Sequence, residues 1–90
     1  MSEMNRIELF ARQMTDRNAC HDHLCAAFGF PQWYGRNLDA LYDQLTQISS
    51  PTLIRLNQCQ LLEGYGLRLL GVITDATAHN PNLWFVPFYG

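Results

Sequence analysis

The sequence has no lysine, no cluster of basic residues and no long apolar run, and each absence removes a class of function. Its cationic side chains are six arginines scattered singly, so there is no basic stripe to neutralise a phosphate backbone; direct nucleic-acid binding is not expected. No run of about 18 apolar residues occurs, and no membrane partner is expected. The first ten residues, MSEMNRIELF, lack a basic head followed by an apolar segment, so no secretory leader is expected and the expected location is cytoplasmic. Cysteines are few and odd in number (Cys20, Cys25, Cys59), which argues against a disulfide framework and for reduced thiols in or near a core. Enzyme signatures are missing too: there is no phosphate-binding P-loop, GxSxG, HExxH or dinucleotide fingerprint.

What remains suits a packed globule. The chain is 48% apolar and 16% charged over 90 residues, a balance that supports one core but not two, so residues 1–90 are expected to form one domain. The formal charge of −2 favours a cationic protein partner over a polyanion.

Local chemistry punctuates the chain. Ile7–Phe10 reads as a first strand. Asp16–Asn18 offers helix N-caps, and a helix follows to Ala27 or Phe28, with Cys20, Leu24, Ala27 and Phe28 at helical spacing. Gly29 suits the residue after that helix, and Pro31 forces Phe30 into an extended conformation. Asn37 caps a second helix that runs to about Gln47, with Leu38, Leu41, Tyr42 and Leu45 as its apolar stripe. Thr52–Leu56 reads as a second strand, Leu61–Leu62 as a short helix, and Leu67–Ala78 as a further helix with Leu69, Leu70, Val72, Ile73 and Ala76 inward. Leu83–Phe88, LWFVPF, is nearly all apolar and reads as a strand buried on both faces, although Pro87, which cannot donate to a ladder, means that the strand ends early or lies at an edge. Strands alternating with helices give an α/β fold: a small three-stranded parallel sheet with three to four helices.

Asp39 and Asp43 are the unusual pair. Four positions apart on one helix, they are neighbours, and like charges at that spacing cost roughly 0.2–0.5 kcal/mol. Asp39 lies in the first turn, where the helix dipole favours a carboxylate; Asp43 lies beyond that favourable region. Both fall outside the apolar stripe, so they are expected to face solvent and to be aimed at something cationic. Exposed helical acids without a pocket or base are poor catalysts, and enzyme activity is not expected. The segment Cys20–His21–Asp22–His23–Leu24–Cys25, with His79 as a further ligand, raises a metal-binding or redox module as the alternative. Its convergent pairs, Cys20 with His23 and His21 with Cys25, point in different directions, so no metal or other cofactor is expected and His21 reads as a hydrogen-bonded structural residue.

The run PQWYGRNLDALYDQL, residues 31–45, resembles the signature of the barstar family, intracellular inhibitors of small secreted ribonucleases. The pattern Pro–x–aromatic–Tyr–Gly–x–Asn–Leu–Asp–Ala–Leu–aromatic–Asp is met at every fixed position of residues 31–43. His21 with Leu24, and Val72–Ala76, are similar to weaker flanking patterns. The resemblance implies a three-stranded parallel sheet and a partner-binding face on the second helix and its preceding loop, which plugs the active site of a secreted or toxin-type ribonuclease. It implies that Asp43 enters the enzyme's phosphate pocket, that Asp39 meets an arginine, and that Asp75 adds an acidic contact. Trp33 stacks on the enzyme, Gly35 permits close approach, Asn37 holds the helix start, and Thr46 matches a further interface position. Arg36 and His79 stand where relatives carry acids, so slower and less salt-sensitive association is expected. A regulatory domain with a non-nuclease partner is the other alternative, because function resides in the site and not in the fold.

Overall fold

The computed structural model describes residues 3–90. Three strands, β1 (Asn5–Phe10), β2 (Thr52–Asn57) and β3 (Leu83–Pro87), form one parallel sheet in the order β1-β2-β3. Parallel neighbours need long crossovers. Two helices, α1 (Arg17–Phe28) and α2 (Leu38–Thr46), fill the first crossover, and α3 (Tyr65–His79) fills the second. Single 3-10 turns at Ala11–Gln13 and Cys59–Leu61 complete the elements, the latter occupying the place expected for a short helix at Leu61–Leu62. Among the described residues no helix is long and apolar enough to cross a membrane.

The helix ends are set by the chemistry read from the sequence. The Asp16 carboxylate accepts from the Ala19 N–H at 2.8 Å, and Asn37 Oδ1 accepts from the Ala40 N–H at 2.7 Å, each satisfying a donor that the helix cannot pair internally. Gly29 sits in the left-handed region at φ 69° and closes α1 by donating to the Cys25 carbonyl at 2.8 Å. α3 starts two residues before the expected Leu67, because Gly66 is a buried helical residue and not a break.

Strand β2 alternates buried and half-buried residues, with Thr52, Ile54 and Leu56 inward. They join Leu9, Leu24, Leu41, Leu45, Leu69, Ile73 and Leu83 in the core. Each fully buried leucine contributes roughly 1.5–3 kcal/mol. On α3 the buried positions are Gly66, Leu69, Ile73 and Ala76, while Leu70 and Val72 are half-buried at the margins.

One expectation fails. β3 is not buried on both faces: Leu83 is inside, but Trp84 is 46% and Val86 42% exposed. Trp84 and Val86 are in register with Leu53 and Arg55 of β2 and with Arg6 and Glu8 of β1, on a face of the sheet whose side chains are half-buried or exposed on all three strands; the strand also pairs with β2 alone and is an edge.

The Cys/His segment is spent on packing. His21 is fully buried, with Nδ1 2.8 Å from the Tyr34 hydroxyl and Nε2 2.8 Å from the Tyr65 hydroxyl. A neutral imidazole satisfies both phenols, donating to one and accepting from the other. His23 Nε2 accepts from the Phe10 N–H at 2.9 Å, joining α1 to the end of β1. Cys20 is buried and its thiol pushed up by burial and by the neighbouring Asp16. Among the described residues no group of three or more His, Cys, Asp or Glu side chains could hold a metal.

Burial holds the His21 imidazole below its ordinary pKa of 6.5, helped by the nearby Arg36 and Arg17 and opposed by Asp22; burial does the same for His23. Below pH 6.5 the unfolded chain therefore binds protons that the folded chain refuses. Stability is full above that value and is lost as the pH falls towards the lowered folded values, by up to about 1.4 kcal/mol per pH unit for each imidazole kept neutral. Urea unfolding at pH 7.5, 6.5 and 5.5 checks this; equal midpoints at the three values would contradict the neutral-histidine core.

Candidate functional site

The loop between α1 and α2 is built rigidly from its own residues. Phe28 and Phe30 stack with ring centroids 5.0 Å apart, and Phe30 leans on Tyr34 at 4.7 Å. The Tyr34 N–H donates to the Pro31 carbonyl at 2.9 Å, and its ring is only 5% exposed. With Tyr34 anchored inward, Trp33 projects outward and is 75% exposed, the most open of the large apolar side chains. Single exposed apolar residues are ordinary, but an indole held out on a braced loop presents a large apolar surface at small entropic cost.

Gly35 has no positive φ, so a turn requirement does not explain it. A Cβ there would meet Ala40 Cβ at 3.2 Å and Asn37 Nδ2 at 3.3 Å; the position is crowded by the first turn of α2. The left-handed residue is instead Arg36, at φ 53°, an uncommon conformation for a non-glycine. Its strain is offset by its contacts. Arg36 Nη2 donates to Asp22 Oδ1 at 2.8 Å and to the Asn18 carbonyl at 3.2 Å, and its own carbonyl accepts from Arg17 Nη2 at 3.2 Å. This is the one ion pair among the described residues. The positive charge that the sequence places in the loop is therefore offset by Asp22 at the surface of α1, and its larger service is to pin the loop.

Asn37 uses its side chain locally: besides capping α2, its Nδ2 donates to the Gly35 carbonyl at 3.3 Å. Asp39 and Asp43 follow on α2, both exposed and without an ion-pair partner among the described residues. Their Cα atoms are about 6 Å apart along the helix axis. Thr46 is half-buried, and its hydroxyl donates back to the Tyr42 carbonyl at 2.9 Å, which leaves the oxygen free only to accept. Asp75 is exposed on α3. The His79 ring, one turn later, lies against the Asp75 carbonyl at 2.9 Å and meets the Tyr42 ring edge-on at 6.2 Å. The C-terminal turn of α3, one turn beyond Asp75, thus lies against Tyr42, the neighbour of Asp43 on α2. Beyond both, buried Asn80 donates to the Leu45 and Ile48 carbonyls, which locks the C-terminal ends of α2 and α3 together.

Two neighbours of Asp39 carry no local signal in the sequence. Arg17 and Arg68 line the same groove, though they lie 22 residues before it and 29 after it.

Asn37→Ala is expected to lower stability by about 1 kcal/mol through loss of the cap, with Asn37→Asp recovering most of it. Denaturant unfolding of the three proteins measures this; an Asn37→Ala protein as stable as wild type would show that the cap is not holding α2.

The family model described as "Barstar (barnase inhibitor)" matches residues 4–80, taking in the sheet up to β2, the loop and all three helices, though not β3. A Bacillus subtilis (strain 168) protein named "Putative ribonuclease inhibitor YrdF" is 44% identical over 43 residues, which cover 48% of this chain and 47% of that protein. The aligned stretch thus spans about half the length of this relative. A family match over most of the chain, on a three-stranded parallel sheet with a capped acidic helix, settles the assignment: the chain belongs to the barstar family.

Proposed function

We propose that this protein inhibits a ribonuclease by docking the loop 31–37 and α2 into the enzyme's active site. The observation that carries this reading is the pairing of an exposed Trp33 on a braced loop with Asp39 and Asp43, two exposed carboxylates without an ion-pair partner among the described residues. A ribonuclease binds RNA phosphate and stabilises a negatively charged transition state, so its cleft is a preorganised cationic field. Carboxylates fixed on a helix exploit that field without having to be ordered on binding. Asp43 is the central contact, standing in for the substrate phosphate. Asp39, Trp33 and Asp75 follow in importance, with Gly35, Asn37 and Thr46 shaping the edge of the contact. The target is a barnase-type secreted or toxin ribonuclease, met in the cytoplasm, and the protein acts by occlusion and not by catalysis.

Titration into a barnase-type, guanyl-preferring ribonuclease while RNA cleavage is followed tests the proposal. Stoichiometric inhibition is expected, and Asp43→Ala is expected to cost at least about 2 kcal/mol of affinity, about 30-fold in Kd, with the fold intact. Undiminished inhibition by a folded Asp43→Ala protein would remove Asp43 from the centre of the interface. No inhibition by the wild type would remove this class of target.

A further inference from the structure

A groove of about 530 Å³ opens beside Asp39, lined by Arg17, Asn37, Leu38, Tyr65 and Arg68 together with Asp39 itself. Its charge runs against the rest of the face. Two guanidiniums outnumber one carboxylate there, in a chain whose net charge is −2. Both arginines are exposed, and neither has an ion-pair partner among the described residues. Neither sweeps freely through solvent. Arg17 is held by its hydrogen bond to the Arg36 carbonyl at 3.2 Å, and the Arg68 guanidinium lies 5.9 Å from the centre of the Tyr65 ring. α2 and α3 both begin at this groove, and their N-terminal dipoles add positive potential. The other end of the face is acidic, with Asp43 on α2 and Asp75 on α3. The binding face is therefore dipolar: positive around Arg17 and Arg68, negative one helical turn further on.

The geometry points to a carboxylate of the partner ribonuclease as the occupant of this groove, held by Arg68 and Arg17 while Asp43 fills the phosphate pocket. The inference rests on the inhibitory function proposed above and deepens it by specifying which nucleases fit. A uniformly cationic cleft would be repelled by two guanidiniums at this position. A cleft that carries an acid about a helical turn from its phosphate pocket would be matched at both ends. Two carboxylate chemistries belong beside the phosphate site of a ribonuclease. One is a general base that removes the 2′-hydroxyl proton. The other is a base reader that accepts from the N–H edge of guanine, and a guanidinium presents the same kind of paired donors as that edge. In both cases the arginine meets a planar acceptor bidentately, and the inhibitor mimics more of the bound RNA than its phosphate.

The test uses the full-length inhibitor and a barnase-type, guanyl-preferring ribonuclease in three forms: unaltered, with its general-base carboxylate changed to the amide, and with its guanine-reading carboxylate changed to the amide. Binding is measured by calorimetry for wild type, Arg68→Gln, Arg17→Gln and Asp43→Ala inhibitors, each checked for an unchanged thermal midpoint. Arg68→Gln is expected to weaken binding to the unaltered enzyme at least ten-fold. It is expected to cost nothing further against the enzyme form that lacks the carboxylate it meets, and the form showing this coupling identifies which acid is engaged. If Arg68→Gln and Arg17→Gln bind as tightly as wild type while Asp43→Ala binds weakly, the groove assignment falls and the inhibitory function stands. If Arg68→Gln weakens binding equally against all three enzyme forms, the carboxylate is overturned as the occupant. If the folded wild type binds none of them, the proposed function fails for this class of enzyme and the groove assignment fails with it.

Discussion

The buried contact between His21 and the hydroxyls of Tyr34 and Tyr65 holds together the parts of the molecule that would otherwise drift apart. Each partner comes from a different place: α1, the loop before α2, and the first turn of α3. All three polar groups lie in or at the edge of the core, where an unpaired donor or acceptor costs about 1–3 kcal/mol, so the three segments are constrained to meet in one arrangement. Two features of the surface depend on that constraint. Tyr34 drawn inward leaves its neighbour Trp33 directed outward, and Tyr65 drawn to His21 fixes the ring against which Arg68 lies. The core and the exposed positions of Trp33 and Arg68 therefore depend on the same hydrogen-bonded group.

Rigidity of the loop matters because ordering it at the moment of binding would subtract from affinity. The loop is already restrained at both ends and in the middle: Pro31 accepts from the Tyr34 amide, Arg36 ties to α1 through Asp22 and Asn18, and Asn37 caps α2. Arg36 adopts a left-handed backbone that glycine would take more cheaply, and its three contacts to α1 offset that cost. The repulsion between Asp39 and Asp43 is of similar small size, a few tenths of a kcal/mol in water. In a cationic cleft of low effective dielectric the same two charges interact far more strongly, so a small loss in the free protein becomes a large gain in a complex.

Features set by neighbouring residues were legible in the sequence. Asp16, Gly29, Pro31 and Asn37 act on their own backbone within a few positions, and the helix ends they mark stand where expected. The face of α2 was legible for the same reason, since a 3.6-residue period separates Leu41 and Leu45 from Asp39 and Asp43 without reference to the rest of the chain. Long-range pairings were not legible. His21 shows that it needs hydrogen-bond partners, but nothing nearby names Tyr65, 44 residues away. Asn5 and Arg6 extend β1 through backbone pairing with Thr52 and Leu53, which their polar side chains do not announce. The apolar run LWFVPF misled because hydrophobicity does not say whether one face of the sheet or both are covered. The charge of Arg36 could be counted, but its partner Asp22, 14 residues away, could not be seen.

Charge pattern, more than net charge, decides what such a protein can bind. At physiological ionic strength the screening length is about 8 Å, so exposed charges much further than that from the contact contribute little to encounter or to affinity. The total of −2 therefore matters less than the order of charges across one face: Arg17 and Arg68 at the groove, Asp39 beside them, then Asp43 and Asp75. A relative with the same net charge and the reverse order would share the fold and reject the same partner. Single arginines on a helix surface would ordinarily be assigned to solubility. Here two of them line one groove with Asp39, one bonded to a carbonyl and the other lying against an aromatic ring. In the proposed complex they would meet a carboxylate on the partner or oppose its approach, and either outcome would make them determinants of specificity.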